Sequence, residues 1–254
     1  MRPFLRGRLL FVWKRNFKFV IILTMNLDYD TYIFDYYGTL LDSYNDEKSV
    51  EYWDKWLEVL DSKGIKHPDT KTFIEDFFGL DKAYRLQIVE ELGFKYPEVD
   101  IIDVYRDLFE KYGNGELPDE TLYELAYDFR VATREYIKLY PGVDAYLSKL
   151  RENGKKLYIL SNAQRAYTWP EITMFDMPSK VDGVVMSSDY GCMKPETHLF
   201  TVLFNNYGID KSGAVMIGDS ANSDIQGAKD FGIDFIHLTG DNSADKFYLH
   251  ELES

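Results

Sequence analysis

A chain of 254 residues with 45% hydrophobic and 16% aromatic content can fill a sizeable core and still carry an insertion, which excludes a disordered polypeptide. Its formal net charge of −14 argues against nucleic acid and anionic membrane surfaces as partners, since both need a positive face. One cysteine, Cys192, excludes an internal disulfide and fits a reducing, cytoplasmic setting.

The first 24 residues differ in composition from all that follow. They hold Arg2, Arg6, Arg8, Lys14, Arg15 and Lys18 and no acid, so the remaining residues alone carry −20. The apolar runs Leu9–Trp13 and Phe19–Leu23 are split by Lys14, Arg15 and Asn16. Neither reaches the ~20 residues of a bilayer span, so no stable membrane span is expected. The order of charge, apolar run and cleavage site of a signal peptide is also missing. Residues 1–24 are read as a mis-assigned start, with Met25 opening the natural chain; the alternative is a peripheral targeting tail.

In chain order, Thr31-Tyr32-Ile33-Phe34-Asp35 reads as a buried strand that delivers an acid at its end, followed at once by Gly38-Thr39. From about Ser43 to Glu135 the pattern is helical. Val50, Trp53, Leu57 and Leu60 share a face, as do Ile101, Tyr105, Leu108 and Tyr112, and Leu122, Leu125, Phe129 and Tyr136. No strand-like alternation is expected within it. Trp53, Trp56, Phe77 and Phe78 are read mostly as core.

After Pro141-Gly142 the rhythm changes. A helix over Val143–Arg151, a strand over Lys156–Leu160 leading into Ser161-Asn162, and a strand over Asp182–Met186 before Lys194-Pro195 are predicted. A helix through Leu199, a strand Ala214–Ile217 entering Gly218-Asp219-Ser220, a helix Ile225–Phe231 and a strand Asp234–Leu238 follow. Alternating strands and helices predict an α/β, Rossmann-like parallel sheet, built from residues 25–43 and 136–254, with an inserted all-helical domain at 44–135.

Ligands of open α/β sheets bind beyond the carboxyl ends of the strands. Three predicted strands end in Asp35, Ser161-Asn162 and Asp219, and the loop after a fourth supplies Lys194. Asp35 can serve as a covalent nucleophile, with the Gly38-Thr39 turn offering backbone N–H groups to an anion. Asp35, Asp219 and Asp224 together would repel one another without a cation, and oxygen-only ligands suit Mg²⁺. Ser161 could bind a phosphoryl oxygen, and Lys194 could neutralise nucleophile and substrate together. Despite the overall charge, a small anionic substrate is therefore compatible. Cys192 has no sequence-near base, and His67, His198, His237 and His250 lack ligand spacing, so neither thiol nor zinc chemistry is expected.

The segments Asp35-Tyr-Tyr-Gly-Thr-Leu, Ser161-Asn, Lys194-Pro and Gly218-Asp-Ser-Ala-Asn-Ser-Asp224 resemble, in order, the four motifs of the haloacid dehalogenase-like superfamily, over about residues 28 to 239. The spacing resembles its branch with a helical cap after the first motif. The resemblance implies a hydrolase with Asp35 as nucleophile, Lys194 orienting and neutralising, and Ser161 binding the transferred group. It also implies that Thr39 holds the first-motif turn, that Tyr37, Gly38, Thr39 and Asn162 contact substrate, and that Asp35, Asp219, Asp224 and the Tyr37 carbonyl bind Mg²⁺.

Phosphatases of the superfamily place a second aspartate two residues after the nucleophile as general acid and base; here that position is Tyr37. The 2-haloacid dehalogenases resemble this chain in having Asp-x-Tyr-Gly-Thr. They carry an early cap arginine, however, and this chain has none between Tyr36 and Tyr84. They also usually lack the acidic Gly-Asp retained at Gly218-Asp219. The expected activity is therefore Mg²⁺-dependent phosphoryl hydrolysis of a small phosphorylated metabolite, with carbon–halogen hydrolysis or a non-catalytic ligand-binding role as alternatives. A leaving group that needs little protonation, such as an acyl phosphate or an aryl ester, reconciles the two motifs.

Overall fold

The structure is a computed structural model that describes residues 28–238; the basic segment 1–24 and His250 lie outside the described residues. The elements in chain order are β1 (Thr31–Phe34), β2 (Leu41–Asn45), α1 (Val50–Ser62), α2 (Thr70–Leu92), α3 (Ile101–Lys111), α4 (Asp119–Thr133), β3 (Arg134–Leu139), α5 (Val143–Glu152) and β4 (Lys156–Ser161). They continue with α6 (Arg165–Met174), α7 (Met177–Lys180), β5 (Gly183–Met186), α8 (Thr197–Tyr207), β6 (Ala214–Gly218), α9 (Gln226–Phe231) and β7 (Asp234–His237).

Five strands form one parallel sheet in the order β5-β4-β1-β6-β7, so the expected α/β architecture is present. β1 is its centre, and every residue of Thr31–Phe34 is buried, which is what a strand covered on both faces requires. Its alternation divides the core in two. Tyr32 and Phe34 point to a layer with Val143, Tyr146, Leu147 and Leu150 of α5. Ile33 points to the opposite layer, with Leu199, Phe200 and Leu203 of α8. In register, Phe34 pairs with Ile159 on β4 and Ile217 on β6, so the carboxyl ends of three strands open at one edge.

Helices α1–α4 build a separate core. Trp53, Trp56, Phe73, Tyr105, Phe109 and Phe129 are buried there with ring centroids 4.4–6.3 Å apart. Such aromatic pairs add about 0.5–1.5 kcal/mol each beyond area burial. The helix ends are encoded locally: Asp69 accepts from the Thr72 N–H at the start of α2, Asp100 from the Ile102 N–H at the start of α3, and Gly93, at φ 71°, ends α2. Phe78 and Val50, expected on packed faces, are instead half exposed at 50% and 56%.

The helical reading of 44–135 needs one correction. β2 and β3 form an antiparallel two-stranded ribbon, Leu41 opposite Leu139 and Ser43 opposite Ile137, at the entry to and exit from the helices. Tyr136 therefore lies on a strand rather than on the face of α4. Its seven-residue spacing from Phe129 mimicked a helical repeat, whereas the ribbon is specified by pairing between segments some 90 residues apart, which no local window contains.

The block is stitched to the sheet domain by backbone. The segment between α2 and α3 lies antiparallel to the loop after β5: Glu98 N–H donates to the Gly191 carbonyl at 2.9 Å and Met193 N–H to the Tyr96 carbonyl at 2.9 Å. Glu196 caps the Lys95 and Tyr96 N–H groups, and the buried Glu98 carboxylate accepts from Arg85 and from the Ser187 hydroxyl. Gln164 adds two bonds, accepting from Ile101 N–H and donating to the Val99 carbonyl.

Candidate active site

Asp35 immediately follows β1 and is held there by its own N–H, which donates to the Ile217 carbonyl of β6 at 2.9 Å. Lys194 arrives from the loop after β5. Both amide ends of Asn162 grip its backbone: Lys194 N–H donates to Asn162 Oδ1 at 2.7 Å, and Asn162 Nδ2 donates to the Lys194 carbonyl at 3.0 Å. The ammonium, buried at 2% exposure, then meets Asp35 Oδ1 at 2.8 Å, Asp224 Oδ1 at 2.7 Å and the Leu160 carbonyl at 2.6 Å. Ser161, the last residue of β4, donates to the same Asp35 oxygen at 3.3 Å.

Asp219 immediately follows β6, and Asp224 lies within the π-helical turn Ala221–Ile225 that comes next. Asp224 is fully buried and accepts from the Ser220 N–H at 3.0 Å. Asp219 receives the Thr39 hydroxyl at 3.4 Å, which ties the first motif to the fourth. Two glycines are required by this crowding. A Cβ on Gly38 would sit 2.5 Å from Asp219 Oδ2, and Gly38 also adopts φ 77°; a Cβ on Gly218 would sit 2.2 Å from Asp224 Oδ2.

The three carboxylates each offer an oxygen within 4.8 Å of the others, and among the described residues this is the one converging group of three or more potential ligands. Three acids converge and the one lysine pairs with two of them, so the corner carries surplus negative charge, and an oxygen-only donor set of this kind fits a hard divalent cation. Burial pushes the Asp35 carboxyl up, opposed by Lys194 and reinforced by Asp224 and Asp219. Burial works against the Lys194 charge, but Asp35 and Asp224 outweigh it and hold its pKa above the ordinary lysine value.

Two expectations about the first motif change. The Gly38 N–H, expected to face an incoming anion, is spent on the Leu41 carbonyl at 2.8 Å, and the Thr39 N–H points back to the Tyr36 carbonyl at 3.4 Å. The turn closes on itself because positive φ at Gly38 folds the chain toward β2. Tyr37 directs its phenol to α6, where the oxygen lies 2.5 Å from Glu171 Oε2 and 3.0 Å from Thr168 Oγ1. Burial pushes this phenol well above the ordinary tyrosine range, with the Arg130 cation opposing.

Sequence reasoning missed Arg130 and Glu171. Arg130, on α4, stacks 5.2 Å above the Tyr37 ring, donates to Glu171 Oε1 at 2.9 Å and reaches Glu47 at 3.0 Å. Burial opposes its charge, but Tyr37, Glu171 and Glu47 more than offset that. Glu171 is fully buried and also accepts from Arg134 at 3.4 Å. The available signal was a charge on an apolar face: Arg130 falls among Ala126, Phe129 and Thr133, all buried. Cys192 is fully buried in the sheet core, and burial raises its thiol to about 12, so it stays a neutral packing group.

A central parallel sheet with a carboxylate, a lysine and two further acids at its carboxyl edge defines a Rossmann-like α/β domain with an acidic, cation-competent corner. The chain belongs to the haloacid dehalogenase-like hydrolase family, whose family model matches residues 29–232. It is 26% identical over 212 residues to a plasmid-encoded phosphoglycolate phosphatase of Cupriavidus necator, covering 83% of this chain and 80% of that one. It is 31% identical over 98 residues to a glyceraldehyde 3-phosphate phosphatase of Pyrococcus abyssi, covering 39% and 41%. Among solved structures it resembles a 2-haloacid dehalogenase of Pseudomonas syringae, with TM-score 0.54 and 19% identity over 83% of this chain and 86% of that one. Three of the curated phosphatases it matches are covered over only 41–51% of their own length. No helix among the described residues is long and apolar enough to cross a membrane.

Proposed function

We propose that this chain is a Mg²⁺-dependent hydrolase that moves the phosphoryl group of a small phosphorylated metabolite to water by way of Asp35, in a cytoplasmic setting. The observation that carries this reading is the meeting of Asp35, Asp219 and Asp224, two of which pair with the buried Lys194. Asp35 attacks phosphorus, and Lys194 steadies the carboxylate and offsets charge on the transferred group. Ser161 orients the group, and Asn162 acts as a positioning residue by fixing the lysine loop. Asp35, Asp219, Asp224 and the Tyr37 carbonyl would hold Mg²⁺, which when bound supplies charge neutralisation to the phosphoryl oxygens. The helical block, read as a cap over residues 44–135, sets specificity and limits water.

Carbon–halogen hydrolysis is the second reading, favoured by Tyr37, since halide departs without a proton. It gives Asp219 no task. A screen of phosphorylated metabolites and 2-haloacids, with Mg²⁺ and with chelator, separates the readings. Phosphate release that needs metal and vanishes in Asp35→Asn supports the first. Metal-independent halide release supports the second, and binding without turnover in either panel supports a non-catalytic role.

A further inference from the structure

The side-chain donors that the structure sets beside Asp35 and Asp219 point at those carboxylates. The Lys194 ammonium donates to Asp35 and to the Leu160 carbonyl and pairs with Asp224 at 2.7 Å. The Ser161 hydroxyl donates to Asp35, and the Thr39 hydroxyl to Asp219. The single proton of the Tyr37 phenol goes to Glu171. Glu171 is in turn held by Arg130 and Arg134 in a buried cluster. The Tyr37–Glu171–Arg130 triad therefore holds the phenol in the seam between α4 and α6 instead of releasing it to a departing group.

We infer that this site, taken as the phosphoryl hydrolase proposed above, is restricted to acyl and aryl phosphates, whose leaving oxygen departs as an anion that needs no proton. In the first step an Asp35 oxygen bonds to phosphorus while the bond from phosphorus to the leaving oxygen breaks, its electron pair staying on the carboxylate or aryl oxide. In the second, water adds to phosphorus, Asp35 recovers its carboxylate, and the proton of the water passes to phosphate and solvent. An alkyl ester would have to expel a strongly basic alkoxide while the Tyr37 proton is held on Glu171, and the absence of general acid help is worth about 10²–10⁴-fold.

The test is kcat/KM of the wild-type chain with Mg²⁺ on acetyl phosphate, 4-nitrophenyl phosphate, phenyl phosphate and glycerol 3-phosphate. The expected result is a steady fall as the leaving group becomes more basic, with glycerol 3-phosphate at least about 100-fold below 4-nitrophenyl phosphate. Turnover of glycerol 3-phosphate within about tenfold of the nitrophenyl ester would overturn the inference while leaving the phosphoryl reading standing. No phosphate from any compound, acetyl phosphate included, overturns both. Tyr37→Asp supplies the converse: the ratio of glycerol to nitrophenyl turnover is expected to rise at least about tenfold. An unchanged ratio, in a variant that keeps the Mg²⁺-induced rise in melting temperature, overturns the inference.

Discussion

The sheet and the helical block place their side chains by different means. In the sheet, backbone pairing does it: the register of Phe34 with Ile159 and Ile217 decides where Asp35, Ser161 and Asp219 emerge. In the block, ring-on-ring packing does it, with Trp53 and Trp56 touching rings from α2, α3 and α4. The converging carboxylates sit where backbone pairing fixes position, and the helical block rests on side-chain packing. Perturbing the sheet edge should therefore abolish function abruptly, whereas perturbing the block should cost stability by degrees.

The largest effect is expected for Asp35→Asn. Loss of a covalent nucleophile costs about 10⁴–10⁶ in kcat, and a phosphate-release assay should find that loss with the fold retained by circular dichroism. More than about a hundredth of wild-type activity would break the contrast at its strongest point. Lys194→Met leaves Asp35 and Asp224 buried without their cation, which should cost about 3–5 kcal/mol in urea denaturation, with part of it recovered by Mg²⁺. Trp56→Ala empties the centre of the aromatic core and should cost a similar amount, about 3–5 kcal/mol. Here, however, the Mg²⁺-induced rise in melting temperature should persist, because the acidic corner lies elsewhere. If that rise disappears, the two regions are not separable in the way described.

Mg²⁺ itself should raise wild-type stability by about 2.7 kcal/mol at 100 times its Kd, and chelator should remove the gain. The smallest effect is expected at the seam. Glu98→Gln weakens the contacts to Arg85 and Ser187 and should cost about 1–3 kcal/mol. Cys192 reports on it, because Pro97 forms an isolated bridge with Cys192 and the thiol is buried. Alkylation by iodoacetamide at about pH 8, below the raised thiol value, tracks exposure through opening. It should quicken roughly tenfold in Glu98→Gln, as expected for about 1.4 kcal/mol.

Much of the sheet was legible because its strands are short apolar runs bounded by glycine and acid, as in Ala214–Gly218 before Asp219. The convergence of Asp35, Asp219, Asp224 and Lys194 followed from strand ends sharing one edge. The β2–β3 ribbon was not legible, since its pairing is long-range and Tyr136 kept a helical phase. Nor was the fate of Tyr37. Its identity flagged the position, but the direction of the phenol depends on Glu171 and Arg130, which come from elements 134 and 93 residues away and meet only in the folded chain. The engaged N–H groups of the Gly38 turn were equally hidden, since turn closure depends on a torsion angle that residue type permits without fixing.

The antiparallel stitch between residues 96–98 and 191–193 ends one peptide short of Lys194. Any swing of the helices that parts those two backbone bonds also loosens the tether of the lysine, and with it the counter-charge on Asp35. Parting of that seam and full pairing of Asp35 with Lys194 are then alternating states, so the charge balance of the acidic corner would register whether the two parts of the chain are joined.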